Sequence, residues 1–273
     1  MPIIAITREM GSLGKDVAQG LGEALGFPVV YHEVIDHLAD RMRVRKSHVI
    51  RLLDGSAGLL ERLTADRTSL SLFTADEIFN LAGKGGVVIR GWGATHLLRE
   101  VPHAVCVRVC APFDLRKRRV MERIGSDDEP RIADEIRDND EAHSAIMRRH
   151  FGVEWTNPEH YDVVLNTKRV SVDECIGEVL ALARAPQFAE TERSRQTLED
   201  LALAARVRAA LRRAPETRGA RVQVTSDTGR VVLSGAANTD EMLAFVEVAA
   251  AVPGVRDVAY RSHPGEDVRP RFH

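Results

Sequence analysis

Two sets of residues in this sequence have types and spacings suited to chemistry, and both suit the handling of phosphate. The first is Gly11-Ser12-Leu13-Gly14-Lys15, a glycine-bearing turn between an apolar run and a helical pattern. Converging backbone N–H groups hold a phosphate, glycines permit that backbone, and the next helix adds its positive end. Lys15 supplies a point cation. The phosphate-loop pattern G-x-x-x-x-G-K-[ST] is met at Gly14 and Lys15 and missed at Glu9 and Asp16. A tight turn with an exposed lysine also fits the residues. The second set is Arg116, Arg119 and Arg123, spaced i, i+3, i+7 and so on one helical face. Phe113, Val120, Met121 and Ile124 form a separate apolar face. Arg131, in a predicted break after Pro130, and Arg137, Arg148 and Arg149 follow. Guanidinium groups on two helices around a break suit a closing, polyanion-screening lid. A solvated face paired with Glu122, Asp134 and Glu141 fits the pattern as well.

The remaining chemistry-bearing residues point elsewhere. Cys106, Cys110 and Cys175 are an odd, sparse set, as expected in a reducing cytoplasm. On one strand Cys106 and Cys110 are about 13 Å apart, too far for a disulfide or a shared metal. Histidines 32, 37, 96, 103, 143 and 150 show no metal-ligand spacing, and Trp92 and Trp155 read as packing residues. Arg108, between the two cysteines, is an odd residue for a buried strand and is assigned no role. With 38 Lys+Arg against 40 Asp+Glu in 273 residues, no global basic field recruits nucleic acid. No apolar run of about 18 residues is present, so no transmembrane segment is expected. The opening residues lack the layout of an export signal.

These residues need a scaffold. Apolar runs at 3–6, 29–31, 87–89, 105–109 and 161–166 alternate with helical patterns at 17–25, 115–124, 132–149 and 172–183. Residues 34–82 read mainly as helices. Alternating strands and helices predict an α/β fold, a parallel sheet flanked by helices. Arg90 follows the 87–89 run, at the carboxyl end of a strand, where open α/β sheets bind ligands. From Pro186 the composition turns polar, predicting a linker over 186–197. Beyond it a helix at 198–213, strands at 222–225 and 230–234, a helix at 240–252 capped by Thr239 and a strand at 255–260 predict a small α+β (αββαβ) domain. Val222, Val224, Val231 and Leu233 are its candidate core, and Gly229 takes the positive-φ place in a hairpin turn. The domains read as 1–185, a linker at 186–197, 198–262 and a tail at 263–273.

Five segments, in order, resemble the cytidylate kinase-like family, a divergent branch of the nucleoside monophosphate kinases. They are Ile6 through Ala18, Val88-Ile89-Arg90-Gly91-Trp92-Gly93-Ala94, Val105 through Arg119, Asp140 through Gly152, and Tyr161 through Thr167. The resemblance spans about residues 3–183 and implies a P-loop kinase fold, ATP and Mg²⁺, and phosphoryl transfer to CMP or dCMP. It implies that Gly11, Ser12, Leu13, Gly14, Lys15 and Asp16 bind the donor nucleotide, with Lys15, Arg119, Arg123 and Arg131 catalytic. It places Arg90, Arg137 and Asp140 on the acceptor side, Asp140 orienting a ribose or a lid arginine. Asp16 stands where Ser or Thr helps hold Mg²⁺: a carboxylate is itself a hard-cation ligand, and it also puts negative charge close to the triphosphate, so that either aided metal binding or weakened nucleotide binding follows. The family's Asp-x-x-Arg reads Asp140-Glu141-Ala142-His143 here, and a histidine lacks the bidentate guanidinium.

Residues 198–261 resemble a BON domain, a module usually linked to lipid, ligand or partner binding. Val222-Gln223-Val224, Gly229 through Gly235 and Pro253 through Val258 carry that likeness. It implies a regulatory or tethering role with a lipid or protein partner. The leading expectation is a cytoplasmic ATP-dependent kinase acting on small nucleotides. The alternative, motivated by Glu9, Asp16 and His143, is a nucleotide-sensing pseudokinase acting through its BON module.

Overall fold

The computed structural model describes residues 1–31, 35, 38–39, 42, 44–47, 49, 67–91 and 93–262. The chain forms two compact units, Met1–Ala65 with Lys84–Glu190 and Asp66–Gly83 with Thr191–His273.

The first unit is built on five strands: β1 (Ile3–Arg8), β2 (Val29–Val30), β3 (Val87–Arg90), β4 (Ala104–Cys110) and β5 (Val163–Asn166). They lie in the order β2-β3-β1-β4-β5, every neighbouring pair parallel. Ile3, Ile4, Ala5 and Ile6 are wholly buried, which is why β1 reads as an unbroken apolar run rather than an alternating one. Helix α1 (Gly14–Leu25) turns Val17, Ala18 and Leu21 onto the sheet. Burying Val17 or Leu21 contributes about 1.5–3 kcal/mol each. Gly26 ends the helix in the left-handed conformation, its N–H bonded to the Glu23 and Gly22 carbonyls. Parallel alignment puts all the strand carboxyl ends, and so the turn into α1, at one edge.

The helices that carry the arginines begin earlier than their periodicity predicts. The first, predicted over 115–124, runs Phe113–Ile124; the second, predicted over 132–149, runs Glu129–Phe151. Pro130 lies in the opening turn of the second, where its missing N–H costs nothing. The Asp128 side chain caps that turn by accepting from the Arg131 N–H at 3.2 Å. Arg131 is therefore helical, and the break expected around it lies at 125–128.

In the second unit, the 22-residue helix Glu192–Arg213 opens with a capping box in which Thr191 and Ser194 satisfy each other's backbone N–H groups. It starts inside the stretch predicted as a linker, and the polar residues 192–197 are its first turns. Strands Gln223–Asp227 and Arg230–Gly235 pair antiparallel, and the second pairs parallel with Asp257–Ser262. Thr228 (φ 52°) and Gly229 (φ 84°) both take positive φ at the hairpin turn, the conformation that matches strand twist. The helix Thr239–Ala250 is capped by Asn238, with Thr239 already inside it. Val224, Val231 and Leu233 are wholly buried, and Val222 packs on them. The helix Arg67–Gly83 also belongs to this unit, although its sequence lies within 1–185. It packs along the 192–213 helix: Arg212 Nε donates to Ser69 Oγ at 2.9 Å, and the Arg213 guanidinium lies 5.7 Å from the Phe73 ring. The predicted tail at 263–273 and Trp92 lie outside the described residues.

Candidate functional site

The turn after β1 is bent by backbone geometry that side chains resist. Gly11 has φ +79°, and a Cβ there would stand 2.6 Å from the Arg116 carbonyl oxygen. A Cβ at Gly14 would stand 2.6 Å from that of Arg8. Leu13 adopts φ 62°, a left-handed conformation that costs a non-glycine residue about 1–2 kcal/mol. The amides of Leu13, Gly14 and Lys15 have no acceptor among the described residues, while Asp16 and Val17 bond back to the Leu13 carbonyl. Free N–H groups thus collect at the positive end of α1. Lys15 and Asp16 are exposed, and neither has an ion pair among the described residues. Ser12 is wholly buried and its hydroxyl has no partner among the described residues.

The far side of the loop is tied to β5. Thr167 Oγ1 donates to the Ser12 carbonyl at 2.8 Å. Arg119 Nη1 donates to that hydroxyl at 2.9 Å, and Arg119 Nη2 to the Thr167 carbonyl at 2.8 Å. Arg119 is therefore one hydrogen-bonded residue away from the loop. On the near side Glu9 folds back toward the sheet. Its Oε1 accepts from Arg108 Nη2 at 2.6 Å and its Oε2 from the Ala111 N–H at 3.1 Å, with Arg116 Nε at 3.5 Å. Arg116 in turn makes a bidentate pair with Asp140, at 3.1 and 2.8 Å. Arg116, the partner of Asp140, lies outside the predicted catalytic set. Sequence reasoning gave Glu9, Arg108 and Thr167 no role. The signals were a charge inside an apolar strand and a glutamate in a glycine's place.

Arg90 closes β3, which lies beside β1 with Ile6 in register with Arg90 and Gly91 N–H bonded to the Ile6 carbonyl. Its guanidinium lies 4.2 Å from the Tyr31 ring centroid. Burial lowers its pKa, and Tyr31 acts the other way. Lys15 and Arg90 accordingly leave neighbouring strands at the same sheet edge. The other predicted cations stand further out. Arg123 and Arg131 are exposed, their side chains without partners among the described residues. Arg137 is exposed, pairs with Asp134 at 2.8 Å and lies 5.1 Å from the Phe113 ring. A cavity of about 770 Å³ on β5 is lined by Val163, Leu165, Asn166, Lys168, Arg169, Val170, Glu174 and Glu178, none of them a predicted site residue.

His143 packs against Trp155, ring centroids 4.4 Å apart and planes tilted by 54°, with Thr7 Oγ1 3.4 Å from its Nε2. Burial foremost, then the nearby charges of Arg8 and Arg108, push its pKa down to about 4. A neutral ring therefore stands where the family pattern has a guanidinium. Trp155 is buried and gives its Nε1–H to Ser144 Oγ at 2.7 Å, the packing role expected. Cys106, Cys110 and Cys175 are free thiols. No described helix is long and apolar enough to cross a membrane.

Comparison with known proteins places these features. An uncharacterized protein from Eubacterium ventriosum is 23% identical, with a TM-score of 0.52, covering 68% of this chain and 99% of that one. Shikimate kinase from Acinetobacter baumannii, in complex with shikimate, is 14% identical, with a TM-score of 0.41, covering 67% and 92%. The YorR protein from Bacillus subtilis, in complex with phosphorylated GDP, is 13% identical, with a TM-score of 0.41, covering 69% and 99%. At these values only the first bears on the argument, and on the fold alone. No curated protein matches the chain. Residues 199–261 match the BON domain. Residues 3–169, more than half of the chain, match the cytidylate kinase-like family, to which the chain therefore belongs.

Proposed function

We propose that the first unit is a nucleoside monophosphate kinase that transfers the γ-phosphoryl group of ATP to CMP or dCMP. The observation that carries this reading is the set of amides at Leu13, Gly14 and Lys15 that have no acceptor, and the lysine that has no ion pair, among the described residues, beside Arg90 at the next strand end. Phosphoryl transfer asks a protein mainly to position polyanions and neutralise their charge. In this reading residues 11–16 bind the donor phosphates and Arg90 the acceptor phosphate, with Arg137 and Asp140 also on the acceptor side. Lys15 and Arg119 stand close to the donor. Arg123 and Arg131, on either side of the 125–128 turn, supply cations able to approach it.

The residues present fit a magnesium ion. Asp16 is an exposed carboxylate without an ion pair among the described residues, next to the loop lysine, and carboxylate oxygen is a hard-cation ligand. When bound, the ion neutralises phosphate charge. Asp16 would hold it. The free thiols suit a reducing cytoplasm, where the reading puts the chain. The BON domain is proposed as a regulatory or tethering module for a lipid or protein partner.

A coupled ADP-release assay across CMP, dCMP, UMP and AMP tests the activity; the reading expects turnover, fastest with a cytidine acceptor. A second reading rests on Glu9, Asp16 and the neutral His143: a nucleotide sensor that binds without transferring phosphate and acts through the BON domain. Calorimetric binding with no turnover by any acceptor favours the sensor. Turnover lost in Lys15→Ala excludes it.

A further inference from the structure

Glu9 occupies the place where the phosphate-loop pattern has its first glycine, and its partners are not what a lapse from that pattern would leave. Its carboxylate is half-buried, with Oε1 on Arg108 Nη2 and Oε2 on the Ala111 N–H, the first amide beyond β4. It therefore ties the exit of β1 to the exit of β4 at the point where β4 leads into the 113–124 helix. Arg116 of that helix adds its Nε at 3.5 Å from Oε2 and its Nη1 at 3.4 Å from the Met10 carbonyl. Two residues on, Gly11 presses against the Arg116 backbone with no room for a methyl group. The loop has no slack on this side.

We propose that Glu9 is a positioning residue that fixes where the phosphate loop leaves the sheet. It does so through Arg108, Ala111 and Arg116, in place of a glycine. A glycine at this position would leave the Ala111 N–H and Arg108 Nη2 without their acceptor, and buried groups left so cost heavily. Charge argues the same way. The two buried guanidiniums of Arg108 and Arg116 are balanced by Glu9 and Asp140, so the cluster offers a ligand no net charge. Its contribution is position, and the free cation of the loop remains Lys15. The effect on nucleotide rests on the kinase reading above; the effect on the loop does not.

The test uses full-length Glu9→Gly, Glu9→Gln and Glu9→Gln/Arg108→Met proteins. It reads amide exchange over residues 10–16 without ligand, MgATP affinity by calorimetry, and the melting temperature. Glu9→Gly restores the first glycine of the loop pattern, leaving Asp16 at its last position. It is expected to raise loop exchange and weaken MgATP binding by about tenfold each, the scale of one lost charged hydrogen bond. Glu9→Gln keeps the shape and one acceptor oxygen, and gives the reading if the glycine variant does not fold; a smaller change in the same direction is expected. The double variant restores charge balance, so it is expected to melt close to wild type while the loop stays loose. Unchanged exchange in both single variants, tighter MgATP binding by Glu9→Gly, or recovery of loop protection in the double variant would each overturn the proposal. Wild-type protein that binds no MgATP defeats the kinase reading, and the exchange data still decide the role of Glu9.

Discussion

Acidifying the protein should expose the neutral histidine beneath the sheet edge. The 129–151 helix carries His143 to Thr7, next to the end of β1, against Trp155 and near the positive charges of Arg8 and Arg108. Part of its surface stays accessible, but burial and those two arginines hold its folded pKa down at about 4, against 6.5 for the free side chain. Between these values the unfolded chain binds more protons than the folded one. Stability therefore rises with pH across that window and is lost as pH falls through it. A difference of about 2.5 units at 1.36 kcal/mol each amounts to about 3 kcal/mol, a large share of the roughly 5–15 kcal/mol that holds a domain together. Urea unfolding of wild type and His143→Gln, followed by tryptophan fluorescence from about pH 7 to about pH 4, isolates this part. Carboxylates elsewhere titrate in both proteins, so the difference between the two pH curves is what matters. Wild type is expected to lose about 3 kcal/mol more than the variant. Parallel curves would show that His143 charges freely in the folded state and would refute the reasoning.

Other substitutions probe the loop and the second unit. Gly11→Ala puts a methyl 2.6 Å from the Arg116 carbonyl oxygen at φ +79°. Calorimetry should find MgATP binding weakened by about a hundredfold, with about 1–2 kcal/mol of stability lost to the left-handed backbone. Thr167→Val keeps the shape but removes the hydroxyl joining Arg119 to the Ser12 carbonyl. Chemical denaturation should show a cost of about 1–3 kcal/mol, and calorimetry a weaker nucleotide affinity. Leu233→Ala empties a wholly buried position in the second unit. Its unfolding should be easier by about 2–5 kcal/mol, read by amide exchange of the 230–235 strand.

The parallel sheet was legible because a strand buried on both faces has to be apolar, as Ile3–Ile6 is throughout and Val105–Val109 is at every position but Arg108. The loop was legible because only glycines fit Gly11 and Gly14. The clasp beneath it was not. Glu9 meets Arg108 and Ala111 about a hundred positions away, and periodicity carries no information about such pairings. Two helix starts were misjudged because polar residues read as breaks when they are caps: Asp128 with Pro130, and Thr191 with Ser194. Residues 67–83 gave no sign of the unit they join. Leu70, Phe73, Ile78 and Phe79 are buried, but so are Ser69, Asp76 and Glu77, and a helix covered on most sides shows no amphipathic stripe.

The central claim is that amides beside Lys15 and the guanidinium of Arg90 bring two nucleotides together for transfer. Mixing MgATP labelled in the γ-phosphate with CMP, and separating the products by chromatography, reads that event itself. Labelled CDP is expected from wild type, reduced by about a hundredfold or more in Lys15→Ala and in Arg90→Ala. Labelled CDP formed equally well by the Lys15→Ala protein, or none formed by wild type, would contradict it.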